Sequence, residues 1–137
     1  MRTALDTNVL SAILDDEPQA EALADKLGKA RMAGSIVVCG VVFAEAMAHA
    51  KATEGSLRKF LREVGVDIAF ELEEAVWVEA GRRYAVYASR RRASSGGVAR
   101  RLLADFIIGA HALVEADQLM TLDRGRYERD FPELKLV

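Results

Sequence analysis

Short apolar runs alternate with segments of helical period along the chain. Thr3-Ala4-Leu5 is apolar, ends at Asp6 and predicts a buried strand. Val9, Leu10, Ile13 and Leu14 then recur at helical spacing. Asp15-Asp16-Glu17-Pro18 reads as a helix start with Pro18 at the first position; Ala20, Leu23, Ala24 and Leu27 form its stripe, and Gly34 closes it. Ser35-Ile36-Val37-Val38-Cys39 lies between two glycines and predicts a second buried strand. A helix follows over about 42–52. Thr53 can cap the next, where Leu57, Phe60, Leu61 and Val64 share one face and Gly65 ends the run. Residues 66–70 predict a third strand. Residues 72–89 predict a strong helix, with Leu72, Val76, Trp77, Ala80, Tyr84, Tyr87 and Ala88 inward. Ala93-Ser94-Ser95-Gly96-Gly97 has the composition of a mobile loop. A helix over about 99–116, a strand at 118–122, a helical turn at 124–129 and a terminal strand at 134–137 complete the pattern.

Strands that are apolar on both faces and separated by helices imply a parallel sheet covered on both sides. The expected fold class is α/β, one domain over 1–137, with about five parallel strands flanked by helices. Composition agrees. Hydrophobic residues make up 51% and charged residues 29%, with two prolines, which excludes disordered and collagen-like chains. One cysteine, Cys39, excludes a disulfide scaffold and a cysteine-based zinc site, and points to a reducing, cytoplasmic compartment. No apolar run approaches the ~18 residues of a membrane span, and Arg2 with Asp6 does not read as a secretory leader.

The net charge of −2 hides an asymmetry. Seven arginines and no acid fall between Gly81 and Ala104. Arg90, Arg91, Arg92, Arg100 and Arg101 flank the predicted loop and suggest a local anion-binding surface. Their ordinary alternative is a solvated helix end favoured by the helix dipole.

In open parallel sheets, ligands sit beyond the carboxyl ends of the strands. Asp6 and Asp123 fall at two such ends, Glu45 lies one turn into the helix after the second strand, and Asp105 interrupts an apolar helix. Gly109 and Ala112 follow Asp105 on one helical face, which suggests free space above the carboxylate. Three of the acids also have a ready structural alternative: Asp6 as an N-cap, Glu45 as a solvated residue, Asp123 as a turn residue or N-cap, whereas Asp105 on an apolar helix is hard to read as solvated. Together, four carboxylates at one edge repel unless a proton or a cation intervenes. The ligands are hard oxygens, so Mg²⁺ or Mn²⁺ is favoured over Zn²⁺. His49 and His111 stand alone and read as structural, and Cys39 reads as a small buried hydrophobe.

These residues carry a resemblance. Leu5-Asp6-Thr7-Asn8-Val9-Leu10 resembles the opening motif of PIN-domain nucleases. Residues 104–112, around Asp105, and 119–127, around Asp123, resemble the two C-terminal motifs of VapC-type toxins, and Glu45 in Val41-Val42-Phe43-Ala44-Glu45 is similar to the family's acid after the second strand. The resemblance spans nearly the whole chain, in order. It implies a divalent-metal endoribonuclease of a type II toxin–antitoxin pair, with a VapB-type antitoxin and a homodimeric assembly. Asp6, Glu45, Asp105 and Asp123 would be the catalytic acids. Asp6, Asp105 and Asp123 would hold Mg²⁺ or Mn²⁺, the first two most directly, Asn8 and Thr121 would support the site, and Arg90, Arg91, Arg92, Arg100 and Arg101 would hold the RNA backbone.

Two other classes compete. An aspartyl-phosphate phosphotransferase would use Asp6 as nucleophile, but Asn8 stands where a second Asp is common and no lysine ends a late strand. A non-catalytic RNA- or protein-binding module would keep the arginines but would not need four acids.

Overall fold

The computed structural model describes residues 1–94 and 101–137. Its elements are β1 (Arg2–Leu5), α1 (Thr7–Leu14), α2 (Ala20–Ala33), β2 (Ser35–Cys39), α3 (Gly40–Ala46), α4 (Glu54–Glu63), β3 (Val66–Ala69), α5 (Glu74–Ala93), α6 (Leu103–Glu115), β4 (Gln118–Met120) and α7 (Gly125–Glu128). The strands pair in the order β3-β2-β1-β4, all parallel. The chain leaves β1 towards β2 and β3, then returns to β4 on the other side of β1. The strand order therefore reverses between β1 and β4, where α/β sheets open a ligand crevice at their carboxyl edge.

The predicted terminal strand is reduced to one parallel bridge, Leu119 to Leu136. The tail still lies along β4, since Leu119 N–H donates to Lys135 O at 2.9 Å and Val137 N–H to Leu119 O at 2.9 Å. Thr121 N–H also donates to Val137 O at 3.2 Å, so this pairing continues past Met120.

The core matches the hydrophobic pattern in most places. Leu5, Val9, Leu10, Ile36, Val38, Leu57, Leu61 and Leu119 are fully buried, as is Cys39, whose thiol pKa burial raises. Thr53 caps α4 by accepting from Ser56 N–H at 3.1 Å. Three expectations fail. α2 begins at Ala20, two residues beyond Pro18, which lies in a turn. The helix after β2 ends at Ala46 and does not reach Ala52. Trp77 is 51% exposed, because the buried stripe of α5 runs through Val76, Ala80 and Tyr87 and leaves Trp77 on its flank. The predicted loop lies mostly outside the described residues, as does Arg100.

His111 is buried within α6, with Arg2 and Glu115 its charged neighbours. Burial, then the charge of Arg2, lowers its pKa from 6.5 to about 4. The folded protein therefore binds fewer protons than the unfolded chain between those values. Stability should fall as pH drops from about 6.5 to about 4, by about 3 kcal/mol in total. Urea unfolding across that window should show this slope in the wild type and lose most of it in His111→Gln. Equal slopes would remove His111 as the cause.

Candidate metal and nuclease site

Asp6 leaves β1 at the carboxyl edge and is the N-cap of α1, so its capping alternative is also realised. It is 1% exposed, and three donors hold its two oxygens. Oδ1 accepts from Thr7 N–H at 2.7 Å. Oδ2 accepts from the Thr121 hydroxyl at 2.9 Å and the Tyr127 hydroxyl at 2.8 Å. Burial raises its pKa, and the bonds from Tyr127 and Thr121 work in the opposite direction. Burial and the neighbouring Asp6 raise the pKa of Tyr127, which keeps its phenol a donor.

Thr121 joins two strand ends. Its oxygen accepts from Asp123 N–H at 3.0 Å and from Asn8 Nδ2 at 3.3 Å, while Asn8 Oδ1 accepts from Leu122 N–H at 3.1 Å. Asn8 and Thr121 thereby tie the turn after β4 to the start of α1. Glu45, half-buried on α3, accepts from the Thr7 hydroxyl at 2.6 Å. Thr7 thus connects Glu45 to Asp6.

Asp105 sits in the first turn of α6, where Oδ2 accepts from Leu102 N–H at 3.3 Å. Arg126 binds Asp105 Oδ1 through Nη1 at 3.4 Å and Asp123 Oδ2 through Nε at 3.4 Å. Burial opposes the charge of Arg126, but Asp105 and Asp6 outweigh it and raise the pKa. The predicted clearing above Asp105 is not free space. A Cβ on Gly109 would lie 2.6 Å from the Phe131 ring, so the glycine admits an aromatic ring there.

The four acids thus share the edge at the strand reversal, linked through Thr7, Thr121 and Arg126. Among the described residues, no three histidine, cysteine or carboxylate side chains close on one point. The donor chemistry nevertheless fits a divalent cation. The oxygens are hard, and a guanidinium already lies between Asp105 and Asp123 as their positive charge. Arg126 and a metal would compete for these oxygens. Arg126→Gln should therefore lower the Mg²⁺ concentration at which thermal stabilisation is half complete by about two- to five-fold, the worth of a partly exposed ion pair. A midpoint that stays put or rises would contradict the competition.

Thr7, Arg126 and Tyr127 were not singled out by sequence reasoning, although all lie inside the quoted motifs. Their roles depend on partners 38, 21 and 121 residues away. The arginines have other partners than solvent. Arg90 pairs with buried Asp130, Arg101 Nη1 reaches the same carboxylate at 3.0 Å, and Arg101 also lies over the Phe106 ring. Arg91 and Arg92 stand beside Tyr84 and Tyr87 at the end of α5.

The parallel α/β sheet carries buried Asp6 and Asp105, half-buried Glu45 and exposed Asp123 about its strand reversal. The chain belongs to the PIN domain family, whose model matches residues 3–132. No curated protein matches it. Among solved structures, it is similar to VapBC2 from Rickettsia felis bound to a DNA fragment from its promoter, with TM-score 0.73 and 18% identity over 100% of this chain and 98% of that one. It is also similar to VapBC-1 from nontypeable Haemophilus influenzae, with TM-score 0.65 and 17% identity over 100% of this chain and 97% of that one. At these identities the likeness is one of fold.

Proposed function

We propose that the protein is a divalent-metal endoribonuclease acting as the toxin of a type II toxin–antitoxin pair. One observation carries the chemistry: at the carboxyl edge of the paired strands β1 and β4, Asp6 and Asp123 are joined through Thr121, Asp123 and Asp105 through Arg126, and Asp6 and Glu45 through Thr7. Family membership and the fold likeness to two VapBC complexes support the reading. The partners proposed from it are an RNA substrate, a VapB-type antitoxin and a second copy of the chain. The compartment is the cytoplasm; among the described residues no helix is long and apolar enough to cross a membrane. Residues 1–137 act as one PIN domain.

Asp6, Asp105 and Asp123 would hold Mg²⁺ or Mn²⁺. Such an ion supplies a more acidic bound water and charge neutralisation on a phosphodiester. Thr121 and Tyr127 fix the orientation of Asp6 by donating to one oxygen, and Thr121 also fixes the backbone of Asp123. Glu45, held by the Thr7 hydroxyl, is the carboxylate available to accept a proton from attacking water. Arg126 can release its acids and turn to a substrate phosphate. Arg91 and Arg92, with Arg90 and Arg101 where Asp130 leaves them capacity, extend the basic surface for the RNA backbone. Asp6 is poorly placed as a phosphotransfer nucleophile, since three donors already engage its oxygens.

The test is incubation of the purified protein with end-labelled single-stranded RNA in Mg²⁺ and in EDTA. Internal cleavage should occur in Mg²⁺ alone and return when the chelator is titrated out. Binding without cleavage in Mg²⁺ or Mn²⁺ would favour the non-catalytic module.

A further inference from the structure

A second charged feature lies along β3. A cleft of about 460 Å³ is lined by Arg31, Arg58, Arg62, Asp67, Ile68 and Phe70, among others. Three guanidiniums face one carboxylate. Arg58 is engaged, with Nε 3.2 Å from Glu54 and its guanidinium 5.3 Å from the ring centroids of both Phe43 and Phe70. Among the described residues, Arg31 and Arg62 have no carboxylate partner. The backbone makes room for this charge. Gly65 has φ +73°, and a Cβ there would lie 2.4 Å from Arg31 Nε. The cleft has the charge of an anion site.

Phe70 gives it a second property. The ring is 53% exposed at the end of β3 and is held edge-on by Phe43, with centroids 5.3 Å apart. A half-open ring fixed by one aromatic and one guanidinium is a surface for a planar base. Its position relates it to the acids. Ala69 is level with Cys39, and β1 lies beside β2, so Phe70 and Asp6 leave the sheet at one edge, two strands apart. That lateral separation is about 10 Å, a span that a short run of nucleotides covers. Phe43 and Glu45 also belong to the same helix, α3.

We propose that this cleft is a subsite for single-stranded RNA, taking a short run of nucleotides that leads away from the one that is cut. A base lies on Phe70 at the edge of the acids, and a phosphate further along the strand lies between Arg31 and Arg62, beside Gly65 at the other end of β3, about 16 Å away. The proposal rests on the ribonuclease reading for its choice of polymer. An acidic peptide would satisfy the arginines, but the presented ring at the edge of the acids favours a nucleic acid.

The test separates binding from cleavage. Anisotropy of a labelled single-stranded 12-nucleotide RNA is measured in EDTA for the wild type, Phe70→Ala, Phe70→Tyr and the double variant Arg31→Gln/Arg62→Gln. Phe70→Ala should weaken binding about ten-fold or more, and Phe70→Tyr should restore it. The double variant should lower the salt slope by about 0.7, the contribution of one single-strand phosphate contact. In Mg²⁺, cleavage of the long RNA should require more substrate in these variants, while dinucleotide cleavage stays at the wild-type rate. Wild-type binding in all variants overturns the subsite. So does an acidic peptide that competes for wild type and loses affinity in the double variant while RNA does not. If the variants weaken RNA binding but no chain cuts RNA, the subsite stands and the ribonuclease reading falls. If all chains bind and cut alike, the subsite falls and that reading stands.

Discussion

Asp6→Asn should reduce Mg²⁺-dependent RNA cleavage by at least about 100-fold while leaving a folded protein. Losing even a supporting partner of a metal ligand costs about 10- to 100-fold, and Asp6 is placed here as a ligand. The carboxylate is nearly fully buried, and its charge is what a hard cation would require. Substitution by the neutral amide keeps the volume and removes the charge. The same variant changes a second observable. Because burial raises the Asp6 pKa above 3.8, the folded state binds more protons than the unfolded chain there. The ionised carboxylate therefore costs stability as pH rises through 3.8 and then through the folded value. A bound cation offsets that cost at neutral pH. At a hundred-fold excess over Kd, Mg²⁺ should raise the wild-type melting temperature by on the order of 10 °C, and Asp6→Asn should lose most of the gain. Full cleavage by the variant, or an equal Mg²⁺ shift in both proteins, would remove Asp6 from the site.

Asp130→Ala should be the most destabilising of the charge substitutions, by about 3–5 kcal/mol. The Asp130 side chain is 3% exposed and accepts from both Arg90 and Arg101. Arg101 is 14% exposed, and its Nε and Nη2 are buried without hydrogen-bond partners among the described residues. Removing Asp130 leaves that guanidinium desolvated with only Asp105, 3.9 Å away, as counter-charge. Thermal melts in EDTA should fall by more than 10 °C. The comparison is Arg82→Ala, which breaks an exposed pair with Glu79 and should cost under about 1 kcal/mol. Similar small losses in both variants would mean that Asp130 anchors nothing.

The two substitutions mark what sequence reading reaches. Asp6, Glu45 and Asp105 were legible as candidates because carboxylates stand out in apolar surroundings, and Asp123 because it falls at the end of a strand. The strands themselves were legible because each is an apolar run between turn residues. Partners far along the chain were not. Tyr127 lies in the predicted helical turn over 124–129, and only the fold brings its hydroxyl to Asp6. The arginines about the predicted loop read as a free anion-binding surface, yet Asp130 reaches Arg90 and Arg101 from 40 and 29 residues downstream. Gly109 shows the same limit. A missing side chain signals close approach without saying by what, and the occupant is Phe131. Trp77 has a residue type that favours burial and a position one step off the buried stripe, and position decides.

If the carboxylates at the strand reversal form a divalent-cation site, Mn²⁺ binds there in the absence of RNA. Electron paramagnetic resonance of Mn²⁺ tests it without RNA or catalysis. Titrated into metal-free protein, Mn²⁺ should lose its free-ion signal with saturable stoichiometry in the wild type, Mg²⁺ should restore that signal by competition, and the double variant Asp6→Asn/Asp105→Asn should leave it undiminished. Equal Mn²⁺ binding by the wild type and the double variant would contradict the account.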